Sequence, residues 1–65
     1  MTFITVTELE SGNKKIIRSE DVKSVFVSPR NKATCIVFTA MVPGEDYNEG
    51  IFVKESIEEI QNHLQ

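Results

Sequence analysis

No tryptophan, a single cysteine and a single histidine leave this 65-residue chain short of the side chains on which most enzymatic chemistry rests. Cys35 has no second cysteine to pair with, which excludes an internal disulfide. It stands in the apolar run Thr34–Phe38, where a buried, inert thiol is the expected state rather than a reactive one. A lone cysteine with no basic stretch and apolar block at the N-terminus predicts a reducing, cytoplasmic setting without a secretory leader. His63 has no Cys/His cluster around it, so no metal site is expected, and its place at the end of a helix favours a solvated imidazole. The three glycines, at positions 12, 44 and 50, form no phosphate-cradling loop, and no Gly-Lys-Ser/Thr follows any of them. Apolar runs are only a few residues long, far below the ~20 that span a bilayer, so no membrane insertion is expected.

Catalysis is excluded on the same grounds. A nucleophile needs a positioned base, and nothing ties the one imidazole to Cys35. Glu45, Asp46 and Glu49 lack the ligand ladder of an EF-hand and read as a solvated loop tip. Glu58 and Glu59 read as helix N-terminal acids that complement the macrodipole. The expectation is a protein that is not an enzyme and carries neither cofactor nor metal.

What is present is β pattern. Phe3–Leu9 is rich in β-branched and aromatic residues, with Ile4 and Val6 on one face by period-two alternation. Ser11-Gly12-Asn13 marks a turn. Further strands are predicted over residues 15–18, 24–28, 33–40 and 51–53, with Pro29–Lys32 as a hairpin connection. The segment 33–40 is apolar on both faces, as a central strand should be. Met41–Gly50 is irregular and reads as a long hairpin loop or as two strand ends joined by a tip. Ser56 and Glu59 have capping-box spacing, and Ile57, Ile60 and Leu64 form one stripe, which predicts a helix over 57–64 that must pack to be stable.

The predicted fold is therefore a single β-rich α+β domain over residues 1–65. It is a small antiparallel sheet or partly rolled barrel of four to five strands with one C-terminal helix. The expected core is Ile4, Val6, Leu9, Ile17, Val22, Val25, Val27, Ile36, Phe38, Phe52, Ile57, Ile60 and Leu64, and all four phenylalanines are expected inside. A chain this short buries only about 60% of its unfolded surface. Self-association into a homo-oligomer is the remaining supplement.

Charge is unevenly spread. Lys14, Lys15, Arg18, Lys23, Arg30 and Lys32 precede residue 33, whereas Lys54 is the only base after it. Such asymmetry marks either a binding face or ordinary edge and tip charges that keep a β protein in solution. The net charge of −3 and the lack of a basic–aromatic stacking motif make nucleic acid the less favoured partner. A protein partner is expected. The candidate contact residues are Tyr47, the one aromatic in a loop, with Lys14, Lys15, Arg18, Arg30 and Lys32 at the hairpins.

The stretch Ile4-x-Val6-Thr7-x-Leu9, the glycine soon after it, and the closing Val53-Lys54-Glu55-Ser56-Ile57-Glu58-Glu59-Ile60 resemble the FlbD/SwrD family of small bacterial motility proteins. Thr34–Phe38 is similar to that family's fourth strand. The chain departs from the family by an extra residue between Leu9 and Gly12, by lacking a Pro-Asp-Thr before the fourth strand, and by its long Met41–Gly50 segment. The resemblance implies a shared architecture and a non-enzymatic accessory role, regulatory and motility-associated, in a bacterial or phage-like setting. The alternative function is a nucleic-acid-binding regulator that uses the basic hairpin tips.

Overall fold

A computed structural model describes residues 2–64, with the side chain of Leu64 outside the described set. The elements run β1 (Phe3–Thr7), β2 (Lys14–Arg18), a 3-10 turn (Ser19–Asp21), β3 (Val22–Val27), β4 (Thr34–Met41), β5 (Asn48–Val53) and α1 (Ile57–Leu64). The fold is β-rich α+β, with a two-stranded sheet β1-β2, a three-stranded sheet β3-β4-β5 and the C-terminal helix. Every ladder is antiparallel.

The first hairpin closes where Ser11-Gly12-Asn13 predicted a turn. Gly12 takes φ 75°, a region open to glycine, and donates its amide to the Glu8 carbonyl at 2.9 Å. β1 ends at Thr7 rather than Leu9, because from Glu8 onward the chain leaves β2 for β5. Glu8 forms a bridge with Val53, the Leu9 amide donates to the Phe52 carbonyl, and the Lys54 amide donates to the Thr7 carbonyl. That short seam aligns the strands in the order β2-β1-β5-β4-β3. No ladder joins β2 to β3, so the barrel does not close.

The segment between Met41 and Gly50 is tighter than a long loop. β4 reaches Met41, β5 begins at Asn48, and the Val42 amide donates to the Tyr47 carbonyl at 3.0 Å. A register shift between Val37 and Met41 bulges β4, and the Asn48 side-chain amide donates to the Thr39 carbonyl there.

Helix α1 starts from Ser56, whose hydroxyl accepts from the Glu59 amide at 3.2 Å and donates to the Glu59 carboxylate. The N-terminal half of a capping box is thus made, with the carboxylate bonded to the cap hydroxyl. The helix packs against β1 and β3 and drives Ile60 into a core with Ile4, Val6, Ile17, Ile36 and Val53. Val22, Val25, Phe38 and Ile51 pack around it, half-buried.

Several expected core residues lie outside. Val27, Phe52 and Ile57 are exposed, as are Phe3 and Phe26. One eight-residue helix covers one face of the sheet and cannot also cover the other, where Phe26 and Phe52 stand. Val27 belongs to the lateral strand β3, which no further strand flanks. Leu9 is half-buried, and Leu64 lies outside the described side chains. Val53 and Thr34, both buried, were absent from the expected core.

Burying an isoleucine completely is worth about 1.5–3 kcal/mol, and a cavity adds to its loss. Ile60→Ala is expected to cost about 2–5 kcal/mol in urea unfolding, whereas Ile57→Ala at a 36% exposed position costs well under half as much. Equal losses at the two positions contradict the assignment of the helix's inward face.

Candidate functional site

The residues singled out from the sequence fall into three places. Arg30 and Lys32 sit at the β3–β4 tip, where Lys32 adopts φ 61° and Asn31 Oδ1 accepts from the Ala33 amide. Tyr47 stands at the β4–β5 tip, 56% exposed. These tips are at opposite ends of the eight-residue β4, about 25 Å apart at ~3.3 Å per residue. They do not form one surface. The third place is β2, which carries Lys14, Lys15 and Arg18 along the open flank of the hairpin.

Only part of this set comes together. A cleft lies between β2 and the distal half of β4, walled by Lys15, Ile16, Ile17 and Arg18 on one side and Phe38, Thr39 and Ala40 on the other. Its volume is about 500 Å³. A second lobe of about 370 Å³ reaches Tyr47 and Asn48. The lobes share Lys15, Phe38 and Glu49 in their walls. The β bulge opens this space, because it turns Thr39 and Ala40 out of register with β5. Phe38, Asp21 and Glu49 were not foreseen in it. Asp21, three residues after Arg18, is the one that a spacing argument reaches.

Two of the three β2 cations are engaged. Arg18 Nε and Nη2 donate to the two Asp21 oxygens at 3.0 and 3.1 Å, and this hydrogen bond, reinforced by the Asp21 charge, raises the guanidinium pKa. Lys14 Nζ donates to Thr7 Oγ1 at 2.9 Å, and Thr7 in turn donates its hydroxyl and its amide to Glu55 at 2.9 and 2.8 Å. Lys14 therefore serves the seam between β1 and the β5–α1 connection. Lys15 is the β2 cation that faces the cleft without an assigned partner.

The backbone of β2 also has bonds to give. The Glu8 amide donates to the Asn13 carbonyl and the Ser19 amide to the Thr2 carbonyl, so the bonded pairs alternate through Val6/Lys15 and Ile4/Ile17. The N–H and C=O groups of Lys14, Ile16 and Arg18 then point away from β1, toward solvent. Ile16, at 69%, is the most exposed large apolar residue among those described. The arrangement offers an unpaired strand edge, an apolar floor at Phe38 and charges of both signs. Neither Cys35 nor His63 lines the cleft, and among the described residues no three His, Cys, Asp or Glu side chains converge as a metal site. No described helix is long and apolar enough to cross a membrane. Cys35 lies on the other sheet face, buried, with its thiol pKa pushed up by that burial.

Glu55 makes the site's support sensitive to acid. Burial alone would raise its pKa, but the Thr7 amide and hydroxyl bonds and the Lys14 charge hold it below the usual 4.5. A carboxyl depressed by folding stabilises the protein fully above its unfolded value, and that stability is lost as the pH falls through the folded one. Glu55→Gln is expected to cost about 1 kcal/mol at neutral pH and to flatten the loss of stability that sets in as the pH falls below the ordinary carboxylate value of 4.5. An unchanged acid limb in urea titrations at each pH counts against the network.

Comparison of the chain with protein-family models, with curated proteins and with solved structures found no match.

Proposed function

We propose that this protein is a non-enzymatic binding module that takes up an extended segment of a protein partner along the free edge of β2. The observation that carries the reading is the outward row of Lys14, Ile16 and Arg18 backbone groups beside a cleft floored by Phe38. Main-chain pairing supplies affinity in such strand addition, and flanking side chains select the sequence. Here Lys15 and Glu49 supply the charges, Phe38 the apolar contact, and Tyr47 an exposed aromatic anchor at the cleft's far end. The likeness of the C-terminal segment to the FlbD/SwrD proteins supports a regulatory, motility-associated setting for that partner.

A nucleic-acid reading finds less support. Arg18 is paired with Asp21, Lys14 is held by Thr7, and Arg30 and Lys32 lie at the far tip from the cleft's Tyr47 lobe, so the cations form no continuous stripe.

Affinity capture from a lysate of the native host separates the two readings. A protein retained by the intact chain at both about 50 and about 200 mM salt, and lost with Ile16→Pro, supports strand addition, since proline removes an outward amide. Tyr47→Ala and Lys15→Glu are each expected to weaken the same capture by about tenfold. Capture of nucleic acid that falls steeply over that salt range, indifferent to Ile16→Pro, overturns the proposal.

A further inference from the structure

The second lateral strand has a different character. β3 pairs only with β4, and along Val22–Val27 its sole charge is Lys23. The Ser28 amide donates to the Ala33 carbonyl at 2.8 Å, so the bonded pairs alternate through Phe26/Cys35. The N–H and C=O groups of Val25 and Val27 consequently face outward. Phe26 is 45% exposed and Phe52 39%, and the register sets both beside Cys35 in one cross-strand row on the face that α1 does not cover. This apolar row runs to the β3 edge and stops there.

We propose that a second copy of this chain pairs antiparallel with β3 about a two-fold axis at Phe26, joining the two three-stranded sheets into one of six strands. The edge is self-complementary in that register. Phe26 meets Phe26 of the other copy, Val25 and Val27 exchange hydrogen bonds, and Ser24 falls opposite Ser28. Phe52, Cys35 and Phe26 then continue into the same three residues of the second copy. Lys23 falls opposite Pro29, so no like charges meet. The β2 edge offers no such match, because self-pairing would bring together the cations Lys14, Lys15 and Arg18. A chain with a six-residue buried apolar core and no disulfide gains cover for its exposed aromatic row without any new element. A six-residue edge with one phenylalanine per copy makes a small interface of the weak, reversible class.

Sedimentation velocity of the intact chain from about 1 to 500 µM is expected to show a monomer–dimer equilibrium, with little change between low and moderate salt. Phe26→Lys places two cations at the axis and should weaken the dimer about hundredfold while far-UV circular dichroism stays native. Val25→Pro deletes an outward amide and should act alike. Should Val25→Pro unfold, Phe26→Lys at its 45% exposed site carries the test. Amide exchange gives an independent readout: Val25 and Val27 should gain protection with concentration while Ile16 and Arg18 do not. A monomer throughout the range, or a folded Phe26→Lys variant that dimerises as before, overturns the proposal. Ile16→Pro, which blocks the β2 edge, should leave the dimer intact, so the two edges are tested separately.

Discussion

The structure depends on a seam a few residues long. At one end of the molecule β1 leaves its hairpin partner and borrows β5, through the Glu8–Val53 bridge, the Leu9 and Lys54 amides, and the Glu55 carboxylate on Thr7. A two-stranded hairpin is marginal in water by itself, and the β1-β2 pair would be such a hairpin without these bonds. The seam also places Val53 fully inside, between Val6 and the helix that follows only a few residues later. Glu55 is central because the ladder ends at Thr7. Its side chain supplies the acceptor that a continuing β5 backbone would have supplied, and the chain is freed to turn into α1.

Once β1 and β5 are joined, the order β2-β1-β5-β4-β3 leaves β2 and β3 as the two flanks. Their sequences differ in kind. β2 is Lys-Lys-Ile-Ile-Arg and repels its own copy, whereas β3 is Val-Lys-Ser-Val-Phe-Val and does not. Natural sheets protect their flanks with charge, proline or cover, and β2 carries three cations where β3 carries only Lys23. The exposed phenylalanines follow from the same arrangement. The sheet has two faces, and the chain has one short helix to lay on them.

This is also where the sequence was legible and where it was not. Local signals read true: the turn at Gly12, the alternation of Ile4 and Val6, the Ser56 cap and the helix 57–64 all concern residues within a few positions of one another. The helix's inward residue Ile60 followed from its stripe, but Ile57 in the same stripe lies at its exposed margin. The phenylalanines could not be assigned, because β4 is apolar on both faces and period-two alternation names two faces without saying which one is covered. Phe26 and Phe52 share the face of Cys35, and only the path of α1 decides that it stays open. In the candidate site, the cations of β2 were visible as a cluster, but their fates were not. Lys14 answers to Glu55 through Thr7, which lies 48 positions from Glu55, and the cleft beside Lys15 borders the β4 bulge that puts Thr39 and Ala40 out of register with β5. Arg30, Lys32 and Tyr47 were identified as tip residues, and the length of β4 separates the two tips.

Why the barrel stays open is settled at the corner between β2 and β3. With every neighbour antiparallel in the order β2-β1-β5-β4-β3, the flanking strands β2 and β3 run parallel. Pairing them would require a crossover of about a dozen residues or more between them. The link between them is a three-residue 3-10 turn, Ser19–Asp21, which packs on β4 and sends β3 onward beside it. The Arg18–Asp21 ion pair that spans the corner is 49% and 43% exposed, and a pair that wet contributes little. The corner is held by packing. Val22, at its exit, pairs with Phe38 on the core side of the sheet, half-buried, and anchors β3 to β4 rather than to β2. The same contact makes Phe38 the floor of the cleft. The β3–β4 ladder that begins at this apolar pair keeps β3 on β4 and leaves β2 without a second neighbour, and Phe38 gives the resulting gap its apolar base.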